Sequence, residues 1–62
     1  MTKEELKTLL IGQRVIVNRE IGTVTKIEHR SPHDGVWVHR HSVGHASCYS
    51  LANVRLLPNG QL

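Results

Sequence analysis

The chain has one cysteine, no phenylalanine and two aromatic residues in its 62 positions. Each scarcity excludes something. With Cys48 alone, no disulfide can form within the chain, and a single thiol fits a reducing, cytoplasmic compartment better than a secreted one. With Trp37 and Tyr49 as the only aromatics, the multi-ring platform on which single-stranded nucleic acid stacks is thin. No apolar run follows a basic N-terminal region, so no signal peptide is expected. The longest apolar run, Leu9-Leu10-Ile11, is far short of the roughly 20 residues a membrane helix needs. Acidic residues are also few: eight Lys and Arg against five Asp and Glu give a formal charge of +3. That balance permits contact with nucleic acid without forming the dense basic patch of a dedicated binder.

What is present reads as one small domain. A chain of this length buries only about 60% of the surface its unfolded form exposes, so its stability is marginal. Thr2-Lys3-Glu4-Glu5 is a capping box, and the two glutamates favour the first helical turn. Leu6, Leu9 and Leu10 then form one stripe of a helix expected over about 3–11, with Gly12 in the C′ position. So short a helix must dock on something, here an end or edge of a sheet.

From Arg14 the period changes to two. Strands are expected over 14–18, with Val15 and Val17 on one face, and over 21–28, with Asn18-Arg19-Glu20 as the turn between them. Val24 and Ile27 break strict alternation, and Gly22 marks a bulge or sharp bend. Arg30 to Gly35 is a polar loop. Further strands are expected over 36–41 and 46–50, then a 3₁₀ turn over 51–53 and a last strand over 54–57. Residues 58–62 read as a flexible tail.

Five short strands bury a common core by curling closed, which gives a mainly β fold: a five-stranded SH3-like barrel over about 13–57 with a short N-terminal helix. The motifs agree. Gly12-Gln13-Arg14-Val15, Ile21-Gly22-Thr23-Val24, Val36-Trp37-Val38 and Tyr49-Ser50-Leu51-Ala52-Asn53-Val54-Arg55-Leu56 resemble the scheme of Tudor- and KOW-type barrels. In that scheme a G-x-x-V opening and a G-x-V second strand precede a 3₁₀ turn and a short closing strand. The compact size also suits a phage or other mobile-element accessory protein.

The chemically unusual side chains lie between Gly35 and Tyr49. His39, His41, His45 and Cys48 are ligand types zinc prefers, with His29 and His33 upstream. A single cysteine falls short of the paired cysteines most structural zinc sites use, so these residues also read as a solvated sheet face. Cys48 beside a histidine has the makings of a thiolate pair, but no concave pocket is expected in so short a chain. Plasmid-type trimethoprim-resistant dihydrofolate reductases are similar in size and build one active pore from four copies. Of their Val-Gln-Ile-Tyr signature, Ala46-Ser47-Cys48-Tyr49 keeps only Tyr49, with Ser47 in place of the ligand-contacting glutamine. No enzyme and no cofactor are therefore expected.

Two binding readings remain. If Val36 and Val38 face the core, Trp37, His39 and His41 face outward together, and with Arg40 and Tyr49 they form a surface for a protein partner or a second copy of the chain. With the register reversed, Trp37 is inside. The alternative is nucleic acid held by Lys26, Arg30, Arg40 and Arg55, with Trp37 as a stacking surface and Glu20, Glu28 and Asp34 diluting the field. No membrane partner is expected.

Overall fold

The computed structural model describes residues 1–57. Thr2 opens a helix, α1 (Lys3–Thr8), with both halves of the capping box made. The Thr2 hydroxyl accepts from the Glu5 amide at 3.1 Å, and the Glu5 carboxylate accepts from the Thr2 amide at 2.9 Å. Leu6 and Leu9 are buried under the sheet. The helix stops three residues earlier than the leucine spacing predicts. Leu9 is already extended, so Leu10 and Ile11 swing out to 69% and 62% exposure, and Leu10 leaves the stripe assigned to it. A tight turn is the cause: the Gln13 amide donates to the Leu10 carbonyl, the Gln13 side chain accepts from the Leu10 amide, and Gly12 takes φ +91°. Gly12 thus serves that turn and not the helix terminus.

The strands follow as β1 (Arg14–Val17), β2 (Glu20–Glu28), β3 (Gly35–Arg40), β4 (Ala46–Ser50) and, after a 3₁₀ turn at Leu51–Asn53, β5 (Val54–Leu56). They make one antiparallel sheet in the order β4-β3-β2-β1-β5. The fold is mainly β. The first hairpin closes through two residues, Asn18 and Arg19, with φ of 51° and 65°, and Glu20 pairs with Val17 as the first residue of β2. Two successive positive φ values are the type I′ geometry that matches strand twist.

Valine dominates the core. Val15, Val17, Val24, Val36, Val38 and Val54 are each at most 1% exposed and join Leu6 and Leu9, with Ile27, Tyr49, Leu51 and Leu56 packed around them. Burying a side chain of this kind contributes about 1.5–3 kcal/mol. The bulge expected at Gly22 lies further along, at Thr25, where the β2–β3 register shifts between Val24 and Lys26. The extra residue lets Val24 and Ile27, three apart, both point inward, which accounts for the broken alternation. Gly22 has another cause: a Cβ there would overlap Val38 Cγ1 and come within 3.1 Å of Arg40 Cγ. The flexible tail expected over 58–62 lies outside the described residues.

Candidate functional site

The pleat that sends Val36 and Val38 inward sends Trp37 and His39 to the opposite face. Cross-strand pairing builds rows on that outer face. Lys26, Trp37 and Cys48 form one row; Arg14, Thr23, His39 and Ala46 form the next; Arg55, Ile16 and Ile21 lie beyond. Trp37 is half-buried, and its indole N–H donates to Glu28 Oε1 at 2.7 Å. That bond is the main reason the Glu28 carboxyl is held below its ordinary range; Arg30, 3.1 Å away, and Lys26 add to it. The polar atom of Trp37 is thus satisfied within the chain, leaving the ring as an apolar surface.

Arg40 and Tyr49 lie together on the other side of the sheet. Arg40 Nε donates to the Tyr49 hydroxyl at 3.0 Å, its guanidinium stands 5.4 Å from the ring centre, and Nη1 lies 3.4 Å from Glu20 Oε1. The Ser42 hydroxyl and amide both donate to Glu20, at 2.6 and 2.9 Å, and are the principal reason its carboxyl is held low. Arg40, with 15% of its side chain exposed, therefore ties β3 to the start of β2 and to β4. His41 and His45 fall in turns beyond the strand ends.

Of the four cations assigned to nucleic acid, Lys26 and Arg55 share the outer face, Arg30 pairs with Glu28 in the following loop, and Arg40 is engaged as above. His39, His41, His45 and Cys48 do not converge: among the described residues no group of three or more His, Cys, Asp or Glu could hold a metal ion. Cys48 is exposed, and among the described residues no hydrogen bond joins it to a histidine. A hollow of about 380 Å³ does lie between the Pro32–Gly35 segment and residues 48–52, correcting the expectation that so short a chain offers no concavity of ligand size. A smaller groove, about 250 Å³, lies on the outer face between Arg14, Thr23, Ile21, His39 and His41. Among the described residues no helix is long and apolar enough to cross a membrane.

No protein-family model, curated protein or solved structure matches the chain.

Arg14, Thr23 and Ile21 belong to this face and were not singled out from sequence. The signal was present: once Val15 and Val17 point inward, Arg14 and Ile16 point outward, and a two-residue turn at Asn18-Arg19 places Thr23 opposite Arg14.

Proposed function

We propose that the chain is a small non-enzymatic interaction module that docks a protein partner through the outer face of its sheet, with Trp37 as anchor and His39 beside it. The observation that carries this reading is Trp37 itself, half-buried on the outer face with its N–H already satisfied by Glu28. An aromatic ring held in place in this way can bury apolar area against a partner with little further loss of side-chain freedom. Ile21, half exposed, and Ile16 extend the apolar surface. We further propose that the sheet is that of an SH3-like barrel. The β4-β3-β2-β1-β5 order, a nine-residue β2 that pairs with both β1 and β3 and carries a bulge at Thr25, and the 3₁₀ turn before β5 support this architecture.

A second reading, nucleic-acid binding, is favoured by one observation. Arg14, Lys26 and Arg55 project from the same face and make no ion pair among the described residues. The deciding experiment compares wild type with Trp37→Ala, folded by dispersed amide NMR spectra, as baits in host extract with and without nuclease. A defined protein retained by wild type, lost by Trp37→Ala and unaffected by nuclease is the expected result. Retention by both baits sinks the Trp37 interface, and loss on nuclease treatment moves the function to nucleic acid, where affinity falls steeply with salt.

A further inference from the structure

The groove between β1, β2 and β3 combines three kinds of donor. Arg14, Thr23 and His39 occupy directly opposed positions on the three strands, and His41 lines the same groove just past the end of β3. Directly opposed residues place their Cβ atoms about 4.5–5.5 Å apart, so the row presents a guanidinium, a hydroxyl and an imidazole within reach of one small group over Thr23. No carboxylate stands in the row. Glu20, the nearest acidic residue in sequence, is occupied by Ser42 and Arg40. Donors arriving from three strands suit the three terminal oxygens of a phosphate monoester better than the two coplanar oxygens of a carboxylate. The apolar wall is the aliphatic Ile21; Trp37 does not line the groove, so a nucleobase finds no ring to stack on there.

We propose that this groove binds a phosphate monoester, of the kind a phosphorylated serine or threonine on the docked partner presents. The proposal rests on the reading of the outer face as a protein-docking surface and names the chemistry that surface selects. Arg14 supplies the fixed charge and the fork, Thr23 the central hydroxyl donor, and His39 a further N–H.

The test is an amide NMR titration of the full chain with O-phosphoserine, with serine, inorganic phosphate and AMP as parallel arms. The expected result is saturable shifts centred on Arg14, Thr23 and His39 with O-phosphoserine and inorganic phosphate, and none with serine. Arg14→Gln, an exposed position, retains dispersed spectra and loses affinity about tenfold or more. Unsaturable shifts, equal shifts at Lys3 and Lys7, or an Arg14→Gln variant that binds as well as wild type overturn the proposal. Tighter binding of AMP than of O-phosphoserine overturns the side-chain source. Because no partner enters this titration, a failed Trp37→Ala capture and a failed phosphate site are read separately.

Discussion

Replacing Gly22 by alanine tests how the outer groove is floored. Gly22 is buried where β2 crosses β3, and an added Cβ would meet Val38 Cγ1 in overlap, the His39 carbonyl oxygen at 3.0 Å and Arg40 Cγ at 3.1 Å. Val38 is fully buried and the carbonyl belongs to the sheet ladder, so neither can yield cheaply. Alanine gains about 0.5–1 kcal/mol over glycine in a strand by restricting the unfolded chain. Overpacking costs about 1–3 kcal/mol, and with two unyielding neighbours the upper part of that range applies. The net is a loss of about 2 kcal/mol, or roughly 8–16 °C in Tm at about 4–8 °C per kcal/mol. Val38→Ala alone removes two methyl groups and costs about 2 kcal/mol. The double variant relieves the overlap, so its cost falls at least about 1 kcal/mol short of the sum. Urea unfolding followed by Trp37 fluorescence and by circular dichroism measures all three. A Gly22→Ala variant as stable as wild type, or a strictly additive double variant, refutes the reasoning.

Other outcomes follow from the same geometry. Glu20 and Glu28 both have folded-state pKa values below the ordinary 4.5, so their contribution to stability is complete above that value and lost as pH falls through the depressed ones. The contribution of these two carboxylates to Tm is therefore level down to about pH 5 and drops below it, and Glu28→Gln and Glu20→Gln flatten that drop in thermal melts across acidic pH. Arg19 holds φ +65° in the second position of a type I′ turn, where glycine is unstrained; Arg19→Gly raises stability by about 1 kcal/mol in urea unfolding. Leu6→Ala removes a buried side chain and costs about 2–5 kcal/mol, whereas Leu10→Gln, four residues on and exposed, stays within about 0.5 kcal/mol of wild type.

Period-two patterning located every strand to within a residue or two, because Val15, Val17, Val36 and Val38 are large enough in effect to dictate which way the pleat faces. The capping box was legible because both of its bonds are local. Helix length was not, since Leu9 and Leu10 have equal propensity and a turn held by Gln13 decides between them. The bulge was visible in the Val24 to Ile27 spacing and yet invited assignment to Gly22, whose absent side chain answers to Val38 on another strand. The groove row was hidden by one residue of turn length: counting Glu20 into the turn breaks the Arg14–Thr23 pairing that a two-residue turn dictates. Arg40 read as a free surface cation because its partners, Glu20 and Tyr49, come from other strands.

The strand order also sets a sequence of events in time. β1 with β2, β2 with β3, and β3 with β4 are neighbours in the chain and pair by short connections, whereas β5 returns across the whole meander to reach β1. Closing that long loop carries the largest entropic cost, so β5 docks last and opens first. The N-terminal ammonium, which donates to the Leu51 and Val54 carbonyls, is released with it. In hydrogen exchange, amides of β5 therefore lose protection before Val38 does. Arg14, Thr23, His39 and Trp37 all ride on β1, β2 and β3, so such a transient departure carries off Arg55 and leaves the Trp37 and Arg14–Thr23–His39 rows assembled.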